Sequence, residues 1–246
     1  MKACRRTAIV MAGCVLALTM APVTAKNNDA FPPEVMTEGF LSAHPDLRWR
    51  GEGLSSYQRK DYAVALTQLQ RAARHADKAS QAIVAEMYWN GVGVEADRVM
   101  GYIWMDLAAE RMYHDFVVLR ERYWGELNQV ERAAVIERGR AVYAEYGDEV
   151  AKPRLEKILK RERRRATGSR TGSVNFLTII PATGPLAGTG FTIPGDMYYA
   201  PKYWQPEKYW QLQDTIWKAP LKGRVSVGDV ETLPTEHLPR TEDQGN

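Results

Sequence analysis

The sequence predicts an all-α fold: a short solenoid of antiparallel helix hairpins, followed by an irregular and partly β carboxy-terminal extension. Between Ser55 and Tyr146 proline is absent, and apolar residues recur at spacings of three and four, as on amphipathic helices. Residues 69–73 (LQRAA) align with residues 105–109 (MDLAA), 36 positions later, which indicates stacked hairpins of one length. From Thr171 onward Pro, Gly and aromatic residues dominate, so the helical pattern is expected to end there.

Residues 1–25 have the pattern of a secretory signal peptide. A cationic start precedes the apolar run Thr7–Met20, and small residues stand at the last and third-last positions before a cleavage point after Ala25. The competing interpretation is a bacterial lipoprotein signal ending at Cys14. The apolar run continues past that cysteine, however, whereas a lipidated cysteine is expected to end it. We therefore expect a periplasmic or secreted chain, and an uncleaved run would act as a short membrane anchor.

Cleavage after Ala25 would remove both cysteines, Cys4 and Cys14. It would also remove three of the 33 basic residues and none of the 30 acidic ones, leaving 30 of each. The mature chain is therefore not expected to hold a disulfide scaffold, a thiolate metal site or a cysteine nucleophile. No later stretch approaches the ~20 consecutive apolar residues of a transmembrane span, so none is predicted.

Residues 26–54 form the first mature segment. They contain Pro32, Pro33 and Pro45, which interrupt any regular pattern. This segment is predicted to be a loosely packed lead-in to the repeats, which occupy residues 55–146.

The turn of the central hairpin has the sequence WNGVGVEAD, residues 89–97. A glycine here can adopt the left-handed conformation that ends a helix, a valine can fill the gap between two helices, and an aspartate can cap the next helix. Adjacent alanines allow helices to approach closely. Six residues are therefore predicted to shape this hairpin: Gly91, Gly93, Val94, Asp97, Ala108 and Ala109.

On these residues the chain resembles the Sel1-like repeat family, a relative of the tetratricopeptide repeat, in an exported bacterial form. Residues 85–94 (AEMYWNGVGV), with Asp97, Trp104 and residues 107–109, resemble one complete repeat, although Gly101 stands where the family usually has alanine. Residues 53–73 are similar to a preceding repeat that lacks the Gly-x-Gly-Val turn. The resemblance implies an adaptor that assembles protein complexes through the groove between its stacked helices.

The third hairpin is predicted from its pattern alone. His114–Trp124 has an apolar face, and Asn128 and Glu131 have the spacing of a capping box at the start of the next helix. The following segment, residues 147–170, is predicted to continue as a helix to about Arg165.

That segment contains a basic block with nine Lys and Arg and two Glu between positions 152 and 170. We expect its centre to form a basic patch: Lys160, Arg161, Arg163, Arg164 and Arg165. Such a patch fits an anionic lipid headgroup, a polyanionic glycan or an acidic partner. The other interpretation is a solvated helix end, and export makes nucleic acid an unexpected ligand.

The last segment, residues 171–246, combines a glycine loop with an aromatic cluster. The loop Gly184–Gly190 is predicted to join the β-prone runs Val174–Ile180 and Phe191–Ile193. Five aromatic residues are candidates for contact with a ligand or partner: Tyr203, Trp204, Tyr209, Trp210 and Trp217. We favour the alternative that these rings pack on the helices, because an exposed row of large apolar side chains is costly.

No pattern in the chain predicts catalysis. The nucleophile elbow, the zinc-protease motif, the phosphate-binding loop and the calcium loop are all absent from the sequence, and the four histidines are scattered. We therefore predict no catalytic, cofactor or metal site and a non-enzymatic, exported adaptor for an unknown protein partner. The alternative is a cell-envelope protein that binds glycan or an anionic surface with the aromatic cluster and the basic patch.

Overall fold

The predicted apolar spacing produces helices along most of the chain in a computed structural model, which describes residues 31–165, 174, 177–184 and 186–218. The fold class is confirmed as all-α, with solenoid-like helix hairpins and a two-stranded sheet. The predicted signal peptide lies outside the described residues. The elements are α1 Glu38–Ala43, α2 Pro45–Gln58, α3 Tyr62–Ala73, α4 Lys78–Asn90, α5 Arg98–Ala109, α6 His114–Glu126, α7 Gln129–Tyr146, α8 Asp148–Arg165, β1 Thr178–Ile179, β2 Ile193–Pro194, α9 Gly195–Tyr198, α10 Pro201–Trp204 and α11 Pro206–Lys218.

Helices α2 to α5 form two hairpins in series, and α6 and α7 follow them. Within each hairpin, the paired helices pack closely along their length, and α3 then packs on α4. Helix α5 packs on both α6 and α7, which hardly contact each other, so the closely packed third hairpin that was predicted is not found. The start of α7 has the predicted capping box, because the Asn128 side chain accepts from the Glu131 amide and the Glu131 carboxylate accepts from the Asn128 amide.

The geometry of the turn between α4 and α5 requires its two glycines. Gly91 ends α4 at φ +69°, and Gly93 lies at φ +72°, a region that other residues rarely adopt. A Cβ on Gly93 would lie 2.3 Å from the Cβ of Tyr62 on the first hairpin. Asp97 then begins α5, where its side chain accepts a hydrogen bond of 3.0 Å from the Met100 amide. Val94 is partly buried beside this turn.

Small residues set the distance between the paired helices. Ala108 and Ala109 are fully buried in α5. A Cβ on Gly101 would lie 3.0 Å from the backbone nitrogen of Trp89, so glycine lets α5 approach α4 more closely than alanine would. In the first hairpin the small residue is on the other helix, since a Cβ on Gly53 would lie 2.7 Å from Cγ of Leu69.

The lead-in differs from its expected loose packing. Residues 38–54 belong to α1 and α2, and Phe31, Val35 and Phe40 are buried in the core. Pro45 does not interrupt a helix, because it stands in the first turn of α2, where the missing amide hydrogen has no intrahelical acceptor.

The carboxy-terminal segment contains the expected β pair and more helix than expected. Strands β1 and β2 are antiparallel, with Ile179 opposite Ile193, on either side of the predicted glycine loop. The remainder was predicted to be irregular but forms α9, α10 and α11 up to Lys218. Pro201 and Pro206 are the first residues of α10 and α11. A proline is tolerated there, so neither residue breaks a helix.

Helix α11 lies across the amino-terminal ends of the longer helices. The Tyr209 hydroxyl donates to Asp46 at the start of α2, and the Tyr113 hydroxyl, just before α6, donates to Asp214 at 2.7 Å. The Trp210 indole donates to Glu156 of α8 at 2.9 Å. No helix within the described ranges is long and apolar enough to cross a bilayer.

Candidate partner-binding groove

The five aromatic candidates lie against the helices. Four of them are almost fully buried, with exposed fractions of 0 to 7%, and Trp210 is partly buried: Tyr203, Trp204, Tyr209, Trp217 and Trp210. The hypothesis of an exposed row for stacking on sugars is therefore replaced by packing, because burying these rings removes a large apolar area from water.

Several polar groups around these rings are bonded within the chain, whereas Oδ1 of Asp46 and Nε2 of Gln213 are buried with no described partner. His44 is fully buried, and its two ring nitrogens lie 2.8 Å from the Phe40 carbonyl oxygen and 2.9 Å from the Tyr203 carbonyl oxygen. Burial lowers the pKa of His44 to about 4. Burial also raises the pKa of Asp46 to about 7, although its hydrogen bond from Tyr209 acts in the opposite direction. These groups hold the carboxy-terminal segment in place.

A buried ionic cluster joins the starts of α4 and α8. The Lys78 ammonium, 1% exposed, lies 2.7 Å from Glu110 and 3.0 Å from Asp148, and donates to the Leu107 carbonyl at 2.7 Å. Arg111 forms a bidentate pair with Asp148 at 2.7 and 2.8 Å. Each charge has an opposite partner, so the cluster is structural.

A second buried pair lies nearby and is also satisfied. Arg50 of α2 contacts Asp77 at 2.6 Å, and both side chains are almost fully buried. The other carboxylate oxygen of Asp77 caps α4 by accepting from the amide and hydroxyl of Ser80, at 3.0 and 2.6 Å. The pair therefore ties the first hairpin to the second.

The basic patch occupies the last turns of α8. It is partly neutralised by neighbours on the same helix, since Arg161 and Arg165 contact Glu162 at 2.7 and 3.3 Å and Lys160 contacts Glu156 at 3.6 Å. Among the described residues Arg163 has no carboxylate partner. The patch is therefore a weakly compensated cationic surface.

The carboxylate of Glu86, on α4, differs from these paired groups. Glu86 is partly buried, and burial raises its pKa to about 7. Within the described part of the chain its side chain has no hydrogen bond and no ion pair. A desolvated carboxylate without a partner is costly, and such groups cluster at functional sites.

Glu86, near the end of α4, acts electrostatically on one tyrosine of α2 and one of α6. The pKa values of Tyr57 on α2 and Tyr123 on α6 are raised first by burial, and the negative charge of Glu86 raises both further. Tyr123 also stacks on Trp89 of α4, with ring centroids 3.9 Å apart and an interplanar angle of 8°. These four residues, Tyr57, Glu86, Trp89 and Tyr123, define what we call the Glu86 groove.

Helices α2, α4 and α6 each contribute a polar group to the Glu86 groove. Neither tyrosine hydroxyl there has a hydrogen-bond partner among the described residues. Tyr123 is only 4% exposed, so a ligand can reach mainly the Glu86 carboxylate and the Tyr57 hydroxyl. On the rim, the Arg98 guanidinium lies 4.9 Å from the centroid of the Trp89 ring. Chemically, the arrangement can bind a polar or cationic group, and it has no nucleophile paired with a base.

Sequence reasoning missed Glu86, because helix carboxylates were interpreted as part of solvated, charge-alternating faces. One signal could have found it. No Lys or Arg lies within four positions of Glu86, and its neighbours on the helix face are Ala82, Ile83, Trp89 and Asn90. A carboxylate without a basic neighbour in an apolar stretch indicates burial or a function.

Within the described residues, no three His, Cys, Asp or Glu side chains form a group that could hold a metal ion. Comparison of the chain with protein-family models, curated proteins and solved structures gives no match.

Proposed function

We propose that the protein is a non-enzymatic adaptor that binds a protein partner in the Glu86 groove. The observation that carries this proposal is the contrast between Glu86 and the other buried charges. Asp77, Lys78 and Arg111 are each paired inside the chain, whereas the Glu86 carboxylate has no partner among the described residues. Glu86 is only partly buried, so a partner can reach this carboxylate.

The shape of the array supports the same proposal. Stacked hairpins place the same face of successive helices side by side and form an extended surface suited to a peptide or helix. Here α2, α4 and α6 contribute Tyr57, Glu86 and Tyr123 to one groove. The resemblance to Sel1-like repeats favours an adaptor role, and export remains part of the proposal on the strength of the signal-like residues 1–25.

Site-specific photocrosslinking tests the adaptor. A benzophenone amino acid at Tyr57 is expected to give a discrete adduct with a protein of the same compartment, and Glu86→Gln is expected to weaken it. The matched control is the same crosslinker at Ile136, an exposed position of α7. Equal adducts at both positions, or none at Tyr57, would reject the groove as the binding site.

Arg163 at the end of α8, which has no carboxylate partner among the described residues, favours a second candidate function, adhesion to an anionic envelope surface. This version no longer uses the aromatic rings, because they are buried. Binding to phosphatidylglycerol vesicles should fall with salt and with Arg163→Gln plus Arg165→Gln, because these charges contact the surface. The control pair Lys202→Gln plus Lys208→Gln should bind normally. Equal losses in both pairs would indicate a net-charge effect without a site.

A further inference from the structure

We propose that a cleft along α2 binds an extended peptide segment, which places a carboxylate on the Arg59 guanidinium and an aliphatic side chain against Leu41 and Leu47. The cleft has a volume of about 660 Å³, a size at which proteins bind ligands. It is lined by α1, α2, α3 and the start of the glycine loop. It shares no lining residue with the Glu86 groove, so it is a separate site, which we call the α2 cleft.

One end of the α2 cleft offers hydrogen-bond donors. The Arg59 guanidinium donates to the hydroxyls of Ser55 and Ser56, at 2.6 and 3.1 Å, and its Nε donates to another acceptor at 3.4 Å. Three of its five N–H groups are used in this way, so two remain for a ligand. The Ser56 hydroxyl donates to Oε1 of Gln68 at 2.7 Å, and the amide hydrogens of Gln68 have no described acceptor. This excess of donors fits a carboxylate.

The nearest carboxylate in the chain leaves most of the Arg59 charge available. The acceptor of the Nε bond is Asp61, and the two side chains are 60% and 56% exposed. Exposed ion pairs of this kind are weak. The hydroxyls of Ser55 and Ser56, by contrast, hold the guanidinium in one orientation at the cleft, so less freedom is lost when a ligand binds it.

The other end of the α2 cleft is apolar. Met36 and Leu41 are partly buried there, and Leu47, with 4% of its surface exposed, belongs to the core. Leu47 and Arg59 are 12 positions apart along α2 and its cap, which corresponds to about 18 Å. An extended chain covers that distance in about five or six residues. The cleft therefore fits a carboxylate and an aliphatic side chain about five residues apart.

Gly51 lies between the two ends, and packing within the chain does not account for it. A Cβ at Gly51 would have no atom within 4 Å, whereas a Cβ at Gly53 of the same helix would lie 2.7 Å from Cγ of Leu69. Glycine inside a helix is less stable than alanine. On the wall of a cleft, however, it lets the backbone of an occupant approach closely.

The middle of the cleft favours a peptide over a fatty acid, which would also bring a carboxylate and an aliphatic chain. Arg48 and Glu52 line this part and pair through one nitrogen and one oxygen at 2.9 Å. Their other polar atoms can bond peptide amides. An alkyl chain would remove these atoms from water without replacing their hydrogen bonds, which is costly.

A hexapeptide provides the test. Acetyl-Leu-Ala-Ala-Ala-Ala-Glu-amide is titrated into the full chain and followed by isothermal titration calorimetry and by the amide resonance of Gly51. We expect saturable binding that shifts this resonance. Replacing the glutamate of the peptide by glutamine should weaken binding at least tenfold, because the bond to the guanidinium loses its charge. A peptide in which the leucine and the glutamate are adjacent should also bind more weakly.

Two pairs of variants locate the contacts. Gly51→Leu fills the cleft and should abolish binding, yet it should unfold at the same or a higher denaturant concentration, because leucine favours a helix more than glycine does. Gly125→Leu is its control, since a Cβ there also has no atom within 4 Å, and it should keep binding. Arg59→Gln should weaken binding at least tenfold. Arg140→Gln, at an exposed position of α7, should leave it unchanged.

Three results would overturn this inference. They are no saturable binding of the hexapeptide, equal binding of the glutamate and glutamine peptides, and unchanged binding in a folded Gly51→Leu variant. Binding of dodecanoic acid without binding of the hexapeptide would also overturn it and would assign the cleft to a lipid. Because the two sites share no residue, each of these results leaves the Glu86 groove and its crosslinking test unaffected.

Discussion

Charged side chains at the two ends of the helices differ in their partners within the chain. At the amino-terminal ends of α2, α4 and α8, close to α11, Lys78 and Asp148 are paired within the chain. One oxygen of Asp46 accepts from Tyr209, and the other is buried with no described partner. We call this the covered end. At the carboxy-terminal ends of α2, α4 and α6, Glu86 has no partner among the described residues. A 13-residue helix such as α4 separates the two ends by about 20 Å. The contrast separates the paired charges Lys78 and Asp148 from a carboxylate that a partner can reach.

The largest effect is expected from Lys78→Met at the covered end. This change leaves Glu110 and Asp148 with less compensation in a buried site, and breaking such a cluster costs about 3–5 kcal/mol. Denaturant unfolding measures the loss. Lys160→Met, which removes an exposed pair, is the control and should change stability by less than about 1 kcal/mol. Equal losses of unfolding free energy in the two variants would show that the buried cluster stabilises the fold no more than an exposed pair does.

A smaller loss is expected from Tyr209→Phe, which removes the hydrogen bond that Asp46 accepts from α11. Leaving a buried acceptor without its donor costs about 1–3 kcal/mol. The same denaturant experiment measures it, with Tyr199→Phe as the control, because that partly buried hydroxyl has no described partner. If the two variants unfold alike, the bond to Asp46 does not hold the carboxy-terminal segment.

The pH dependence of Asp46→Asn sharpens the comparison further. Because the folded pKa of Asp46 is raised to about 7, the native state binds this proton more tightly than the unfolded state does. Wild-type stability is therefore lost as pH rises from about 4 through 7, whereas an amide does not titrate. The variant should gain roughly 1–3 kcal/mol on the wild type between pH 5 and 8.

Parallel unfolding curves at several pH values measure this difference. The folded pKa of His44 is about 4, so protonation of His44 lowers the stability of the fold as pH falls from about 6.5. This effect is the same in both proteins and cancels in the difference between them. Arg50, Asp77 and Tyr209 also act on Asp46 and are present in both. A difference that does not change with pH would mean that Asp46 ionises normally in the folded chain.

Much of the fold follows from local pattern. The three-and-four spacing predicts the hairpins, and the Asn128–Glu131 spacing predicts the capping box that is found. The helices around Pro45 and Pro206 were missed, because a proline in a first helical turn has the same sequence appearance as a proline that breaks a helix.

The candidate site was harder to predict, because it depends on contacts between hairpins. The separation of Tyr57 and Tyr123 in sequence gives no sign that both lie near Glu86. Burial of one carboxylate is a tertiary property, and only the lack of a basic residue within four positions of Glu86 hints at it. The aromatic cluster was visible in sequence, but its surroundings determined that it packs on the helices.

The unfolding free energy of Glu86→Gln at pH 8 tests the central claim most directly. The carboxylate is ionised there and has no described partner, so removing its charge should leave stability unchanged or raise it by up to about 1 kcal/mol. The crosslink from Tyr57 to a partner should weaken in the same protein. A stability loss above about 1 kcal/mol would contradict the account, because it would show that Glu86 is paired inside the chain like the charges of the covered end.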